Sequence, residues 1–421
     1  MYLADIDRQI CESKGEYMDK EEFKITRLSM ATLVMMSMMV LVGGIVILPA
    51  LGSIRESYPD YDRSVIDLII MIPPVVVAFS GFIFGMMACC KGKIKILLIS
   101  AAVVCFSGLI CYYLDDMRLI LISRVILGIG LTGMTCSCLA LTFDYCHAGI
   151  GKIVLGYNVA AVCVGSVLLT AITRYLVNEC GWHSAFLIYS FLFIPLITGM
   201  LSMKEPPCKA GNDIPEHLSN ANKKNVKRAF IAAFLSMVFV TVAFIVISDN
   251  LSSIAESGAV SLNIINMIVP IVLTVFIITC LGYNKLLNYV SRHWTIALGF
   301  LLFFTSYILY KEIEITTFTV SIIILFVVIG VGIILMALMD YMAENVIGLD
   351  TGIISGGLAA FMNTGIAFAI SLVSLSIIIY GSNDNALIFV TTLSAVVTVA
   401  VIIFNLYNDK KINISKDAEK D

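Results

Sequence analysis

Residues 317–339 read TFTVSIIILFVVIGVGIILMALM, a run of 23 residues without a charged side chain. A helix of about 20 apolar residues is long enough to cross the hydrocarbon core of a bilayer, which is about 30 Å thick. Such a helix also satisfies its own backbone hydrogen bonds, which lipid cannot do. Eleven other apolar stretches lie along the 421-residue chain, separated by short polar gaps. The sequence therefore predicts an all-α polytopic membrane protein with 12 transmembrane helices.

The composition of the whole chain favours the same fold class. Apolar residues make up 59% and charged residues 14%, with a mean hydropathy of +0.97, whereas a soluble domain is about 45–50% apolar and about 25% charged. The first 27 residues are rich in charge and show no cleavable signal peptide, so we expect the first span to stay in the membrane. We place the spans at residues 28–51, 64–88, 94–114, 119–142, 153–177, 183–203, 229–248, 260–283, 294–310, 317–339, 352–380 and 385–407.

Lys and Arg side chains are distributed unevenly between the two sets of polar gaps. With the N-terminus inside, 21 of the 27 fall in inside segments and five in outside segments. Cytoplasmic segments of membrane proteins carry such an excess. We therefore expect a multi-pass protein of the plasma membrane with both termini in the cytoplasm.

The longest internal polar gap, residues 204–228, divides the twelve predicted spans into two groups of six. It contains three prolines and ends in a basic cluster. Because six is an even number, both halves have the same orientation in the membrane. We predict a cytoplasmic N-terminal tail (1–27), an N-terminal six-helix bundle (28–203), a cytoplasmic central loop (204–228), a C-terminal six-helix bundle (229–407) and a cytoplasmic C-terminal tail (408–421).

Small residues recur at similar places in the two halves. The fifth and eleventh spans each carry two glycines nine residues apart, at an offset of 200. Parallel repeats of this kind pack about an axis along the membrane normal and share a substrate cavity. Small residues also allow close helix packing, which is the alternative role. The glycines predicted to support packing and rocking are Gly128, Gly130, Gly156, Gly165, Gly356 and Gly365.

Residues 85–95, GMMACCKGKIK, follow the second span. They resemble the loop signature of the major facilitator superfamily, Gly-x-Leu-Ala-Asp-Arg-x-Gly-Arg-Arg/Lys, and keep both glycines, the alanine and the basic end. Cys89 stands at the position of the family's aspartate, and Cys90 stands at that of its arginine. In the family, the aspartate takes part in a charge contact that holds the outward-facing form, and Cys89 lacks that charge.

Three other stretches carry the same resemblance. Residues 124–130, RVILGIG, are similar to the family's fourth-helix signature, and residues 181–186, GWHSAF, are similar to the start of many sixth helices. Residues 48–54, LPALGSI, look like the Leu-Pro-Ala-Leu-Pro-x-Ile of the bacterial and archaeal efflux-permease branch. The resemblance covers residues 28–407 and implies two six-helix bundles that rock about a central site to open alternately to each side of the membrane.

Charged residues within or near the spans are the candidates for coupling and gating. Arg124 lies about five residues into a predicted span. An arginine costs at least about 2.5 kcal/mol at the bilayer centre, so it usually lines a cavity or pairs with an acid. Snorkelling of its side chain to the interface is the alternative. Asp67 lies at a depth comparable to that of Arg124, and we expect the two to interact. Asp144 is expected to pair with Lys93 or Lys95. Together with the two glycines of the 85–95 loop, the candidates for coupling and gating are Arg124, Asp67, Gly85, Gly92, Lys93, Lys95, Asp144, Asp340 and Glu344.

Asp340 and Glu344 are four residues apart and lie on one helix face. A carboxylate pair can raise one pKa and hold a proton; a solvated helix end is the alternative. Polar amides and flexible thioethers inside spans are candidates for lining the substrate cavity, with interhelical hydrogen bonds and lipid contact as their alternatives. This second set is Asn158, Asn266, Asn363, Met35 and Met38.

The sequence favours a secondary transporter for a small molecule, working as a monomer without cofactor, metal ion or nucleic acid. Since no cluster of basic or acidic residues lies deep in the spans, a neutral or amphiphilic solute fits best, and we expect proton-coupled efflux. Uptake or facilitated diffusion of a small neutral metabolite is the alternative, because residues 169–174 lack the Gly-Pro and Gly-Gly of the family's antiporter signature. A membrane sensor without transport is disfavoured by the short tails, and an enzyme by the lack of a catalytic motif.

Overall fold

The computed structural model of the protein describes residues 26–40, 45–145, 153–205, 230–231, 234–235, 238, 262–287, 289–312, 317–345 and 350–380. No strand occurs among these residues. The α-helices are Arg27–Met38 (α1), Leu51–Ser57 (α2), Arg63–Lys91 (α3), Lys93–Ile110 (α4), Met117–Tyr145 (α5), Ile153–Cys180 (α6), Phe193–Ser202 (α7), Leu262–Leu286 (α8), Arg292–Glu312 (α9), Thr317–Asn345 (α10) and Thr351–Tyr380 (α11). Short 3-10 segments cover Ile45–Ala50, Cys111–Tyr113 and Trp182–Leu192.

The predicted all-α membrane fold is confirmed. Seven of the described helices are long and apolar enough to cross a membrane. Helices α3, α5 and α10 follow the spans predicted at 64–88, 119–142 and 317–339 and extend them by a few residues. The spans predicted at 28–51 and 183–203 differ, because the described part of the first holds α1 and the 3-10 segment Ile45–Ala50, and the second begins with the 3-10 segment Trp182–Leu192 before α7. The spans at 229–248 and 385–407 lie largely or wholly outside the described residues, as do most of the two tails and of the central loop.

Helices α3 and α4 are joined by a single residue, Gly92. Its φ is +95°, a left-handed conformation that glycine adopts without the strain a side chain would bring. The turn therefore places Lys91 at the last position of α3 and Lys93 at the first position of α4. We call this end of the bundle the Gly92 end; α3, α5, α8 and α10 end there, and α4, α6 and α11 begin there.

Two hydrophobic clusters form the core. The larger cluster lies almost entirely within the first half of the chain and includes Leu33, Ile69, Leu97 and Leu127. The smaller cluster joins the halves, because it contains Phe143 and Leu155 together with residues of α8, α10 and α11. Its members from the second half are Phe276, Cys280, Tyr283, Met336, Ala337, Leu338, Met339, Met342, Ala343, Ile354 and Leu358. Packing of apolar side chains therefore holds the two halves together toward the Gly92 end.

Candidate functional site: the closed Gly92 end

Two glycine pairs bring α3 and α11 into backbone contact. Gly81 and Gly85 lie four residues apart on one face of α3, and Gly352 and Gly356 do so on α11. A Cβ atom on Gly85 would lie 2.7 Å from the carbonyl oxygen of Gly352 and 3.1 Å from the Cα of Gly356. Such an approach is possible only where neither helix carries a side chain. The two halves of the chain are thus closed against each other here.

Aromatic rings cover the glycine contact on one side. The ring of Phe230 is stacked on that of Phe361, with centroids 5.3 Å apart. Phe82 of α3 meets both rings edge-on, at 6.5 and 6.3 Å. Edge-to-face pairs at such distances are favourable beyond the area that they bury. The three rings therefore extend the contact between the halves.

A polar group of three side chains bridges the halves at the Gly92 end. The ammonium group of Lys93 lies 2.7 Å from an oxygen of Asp144, and both side chains are 17% exposed. The Lys93 ammonium also donates to the hydroxyl of Thr351, which donates in turn to the other oxygen of Asp144 at 2.9 Å. The predicted pairing of Asp144 with Lys93 is therefore present. It also includes a residue of α11, which the sequence did not identify.

The thiol of Cys89 meets a carboxylate from the other half. It donates a hydrogen bond to Oδ2 of Asp350. The other oxygen of Asp350 accepts the backbone N–H groups of Gly352 at 2.8 Å and Ile353 at 3.1 Å. Asp350 thus caps the first turn of α11, where a negative charge is favourable. The acid that the resemblance leads one to expect at position 89 is replaced by a thiol, and an acid on the opposite helix lies against it.

Glu205 fixes the start of α4. Its two carboxylate oxygens accept the backbone N–H groups of Lys93 and Ile94, the latter at 3.0 Å. These are two of the N–H groups that have no partner within a helix. Because Glu205 follows α7, it ties the end of α7 to the α3–α4 turn. This contact fixes the backbone of Lys93, whose side chain reaches Asp144 and Thr351.

A second contact between the halves lies between α6 and α8. A Cβ atom on Gly156 would lie 3.2 Å from the carbonyl oxygen of Cys280. Next to it, Asn158 is 6% exposed and accepts a hydrogen bond from Ser37 at 2.7 Å. The amide of Asn158 donates to the hydroxyl of Thr142. Asn158 therefore links α1, α5 and α6 as an interhelical bridge, which was the alternative to a cavity role.

Arg124 lies inside the first half and does not contact Asp67. The Arg124 side chain is 0% exposed, its Nη1 donates to the hydroxyl of Tyr189 at 2.8 Å, and its guanidinium lies 4.8 Å from the centre of the Phe186 ring. Asp67 is instead paired with Arg55 at 2.6 Å, in a contact that is over one-third exposed. The predicted Arg124–Asp67 interaction is wrong, because Arg124 is turned toward the 182–192 segment. An aromatic face offsets part of the cost of burying the charge.

The other predicted glycines are buried, and three of them lie at helix contacts. A Cβ on Gly128 would meet Val76 of α3 at 2.8 Å, and one on Gly130 would meet Val104 of α4 at 2.9 Å. A Cβ on Gly165 would overlap the backbone of Met38. Gly365 is buried in α11. These positions fit the predicted packing role.

The remaining candidates are dispersed. Asp340 is buried in α10 at 1% exposure, whereas Lys95 is exposed at the Gly92 end. Asn363 is half-buried and donates to the carbonyl of Ala359 in its own helix at 2.9 Å. Met35 and Met38 are half-buried in α1. The side chains of Glu344 and Asn266 lie outside the described residues.

Sequence reasoning missed several residues of the closed end. Gly81 and Gly352 complete Gly-x-x-x-Gly pairs, a motif that marks close helix contacts in membranes. Asp350 precedes an apolar helix, which is the signature of an N-cap residue. Both signals were available from the sequence. No sequence signal indicates that Glu205 reaches the start of α4, because that contact depends on how α7 is placed.

Comparisons with known proteins agree with this architecture. A sequence profile described as Major Facilitator Superfamily matches residues 28–283. No curated protein matches the chain. The human organic anion transporter MFSD10 (TETRAN) is similar in structure, with a TM-score of 0.65 at 12% identity, over 89% of this chain and 99% of that one.

Two sugar transporters are also similar in structure. The E. coli fucose:proton symporter FucP has a TM-score of 0.65 at 12% identity, over 90% of this chain and 99% of that one. The proton:xylose symporter XylE has a TM-score of 0.67 at 14% identity, over 90% and 95%. At such identities the likeness shows the fold alone.

Proposed function

Because the chain belongs to the major facilitator superfamily, we propose that the Gly92 end is the cytoplasmic gate of a secondary transporter, seen in its outward-facing state. The observation that carries this proposal is the backbone contact of α3 with α11, supported by that of α6 with α8 at the same end. Lys91, Lys93 and Lys95 lie at this end, and an excess of basic residues marks the cytoplasmic side. The same bias supports our proposal that both termini lie in the cytoplasm, and we propose the plasma membrane as the location of the protein.

Alternating access requires a closed end that holds and can still open. The polar bridge between the halves depends on one largely buried ion pair, Lys93–Asp144, together with the Thr351 and Cys89 hydrogen bonds. In a largely buried ion pair the cost of desolvation offsets much of the attraction between the charges, and single hydrogen bonds contribute about 0.5–1.5 kcal/mol. Contacts of this size bias an equilibrium between two states without fixing it. Each chain holds both halves, so a monomer is sufficient for the cycle.

We propose that the transporter carries out proton-coupled efflux of small amphiphilic compounds. The absence of basic or acidic clusters deep in the predicted spans favours a neutral or amphiphilic solute. Two of the structurally similar proteins are proton symporters, which favours proton coupling. Both of them transport sugars, and this favours uptake of a small neutral metabolite as the second candidate.

Asp340 is our candidate for the proton-carrying group. Asp340 is 1% exposed on α10, and its sequence neighbour Met339 belongs to the cluster that joins the halves. A carboxyl inside a membrane protein is costly to charge, and such groups commonly serve as proton relays. Asp340 therefore lies close to contacts between the halves that opening of this end would change.

The proposal is tested by transport in proteoliposomes with and without an imposed pH gradient, using a panel of amphiphilic dyes and neutral sugars. In wild type, we expect the pH gradient to accelerate dye movement. In Asp340→Asn, we expect the rate of dye movement to be independent of the gradient. Asp67→Asn is the matched control, since its carboxylate lies in an exposed ion pair. Gradient-dependent sugar movement without dye movement would replace the first candidate by the second. Unchanged coupling in Asp340→Asn would remove Asp340 from the mechanism.

A further inference from the structure

A groove opens on the outer surface of the first half at the Gly92 end. It has a volume of about 590 Å³ and lies between α3 and α4, with α5 as its floor. Its walls are formed by Phe84 and Met87 of α3 and by Ile99 and Val103 of α4. The groove is apolar along its length and half open to the surroundings. It lies apart from the contacts that close the halves against each other.

Helical periodicity explains why the groove is apolar with a charged end. On α3, Phe84 and Met87 share a face with Lys91, and on α4, Ile99 and Val103 share a face with Lys95. Both lysines stand at the Gly92 end of the groove, on either side of the turn. The result is an apolar groove with two ammonium groups at one end.

The two lysines differ from Lys93 in their partners. Lys93 is held by Asp144, whereas neither Lys91 nor Lys95 has a carboxylate within ion-pair distance in the part of the chain that the structure describes. Both side chains are exposed. Their charges are therefore available to an anion at the membrane surface, directly beside the apolar groove.

We propose that this groove binds one anionic phospholipid. The acyl chain lies between α3 and α4, and the phosphate is held between Lys91 and Lys95. Basic residues near the cytoplasmic surface attract anionic lipids, at roughly fivefold in affinity for each lysine. At about 100° per residue, the mean direction of Gly81 and Gly85, which contact α11, lies about 110° around α3 from the mean direction of Phe84 and Met87. The bound lipid thus contacts the outer side of the helix whose inner side closes the gate.

The proposal is tested on the purified full-length chain by native mass spectrometry after reconstitution into equal mixtures of phosphatidylglycerol and phosphatidylcholine. We expect wild type to retain one phosphatidylglycerol in preference to phosphatidylcholine. Lys91→Gln with Lys95→Gln should lower this retention by roughly 30-fold. The control pair, Lys204→Gln with Lys285→Gln, removes two charges outside the groove and should retain lipid as wild type does. Equal loss in the two double variants, or equal retention of the two lipids by wild type, would overturn the proposal.

A second pair of variants tests the apolar part. Ile99→Trp fills the groove, whereas Ile110→Trp adds the same ring at an exposed position of α4 outside it. Loss of lipid in Ile99→Trp alone is expected. Inorganic phosphate should fail to displace the lipid, because it offers no acyl chain to the groove. Complete displacement of the lipid by phosphate would show that the lysines bind a free anion only. Retention of the neutral detergent dodecyl maltoside equal to that of phosphatidylglycerol would show that the groove does not select a headgroup. Either result would refute a phospholipid site.

Discussion

Gly85→Ala should shift the transporter away from the closed state at the Gly92 end. The added Cβ would lie 2.7 Å from the carbonyl oxygen of Gly352 and 3.1 Å from the Cα of Gly356. Both neighbours are backbone atoms, so no side-chain rotation relieves the contact and α3 must move away from α11. Overpacking of this kind costs about 1–3 kcal/mol. The closed state should therefore lose about 5- to 150-fold in population relative to the open state.

Folding stability should not fall in parallel. Alanine in a helix is favoured over glycine by about 1 kcal/mol, and this gain applies to the closed and open states alike. The clash applies only where α3 and α11 touch. Gly356→Ala, on the facing helix, should act in the same direction, because its Cβ would lie 2.7 Å from the Cα of Gly85. Gly282→Ala is the matched control, since a Cβ there has nothing within 4 Å.

The rate at which Cys89 is alkylated reports the state of this end. Its thiol is half-buried against Asp350, whereas the thiol of Cys90 is exposed and provides the reference rate in the same molecule. In inverted vesicles treated with an impermeant maleimide, Gly85→Ala and Gly356→Ala should raise the Cys89 to Cys90 ratio several-fold or more. Ratios equal to those of wild type and of Gly282→Ala in both variants would refute the view that this glycine contact is the gate.

Two further predictions concern single hydroxyl groups. Thr351→Val removes the hydroxyl that joins Lys93 to Asp144 and should raise the rate of Cys89 alkylation about fivefold, for a loss of about 1 kcal/mol. Thr364→Val is the control, because the Thr364 hydroxyl donates to a carbonyl of its own helix, and it should leave the rate unchanged. Equal rates in the two variants would contradict the bridge. Tyr189→Phe removes the hydroxyl that accepts a hydrogen bond from the buried Arg124 and should destabilise the protein by about 1–3 kcal/mol. We expect a lower melting temperature in detergent, and an unaltered melting temperature would contradict a structural role for this bond.

The fold class followed from the sequence because it depends on local properties. The length of each apolar run determines whether it spans the bilayer, and this is why α3, α5 and α10 lie where the sequence placed them. The position of the turn between α3 and α4 followed likewise, because residues 89–93 separate the spans predicted at 64–88 and 94–114. The pairing of Lys93 with Asp144 followed because both lie at the same end of neighbouring helices.

Other features depend on how each helix is rotated about its own axis, and hydropathy does not determine that rotation. Arg124 and Asp67 lie at comparable depths, yet Arg124 faces Tyr189 and Asp67 faces Arg55. Glycine pairs at 81–85 and 352–356 can be read from the sequence, but their contact across 267 residues cannot. Hydrophobicity acts on each segment separately and so predicted the fold class and the positions of α3, α5 and α10. The choice of facing surfaces depends on packing between segments far apart in the chain, and only the tertiary structure decided where the two halves close against each other.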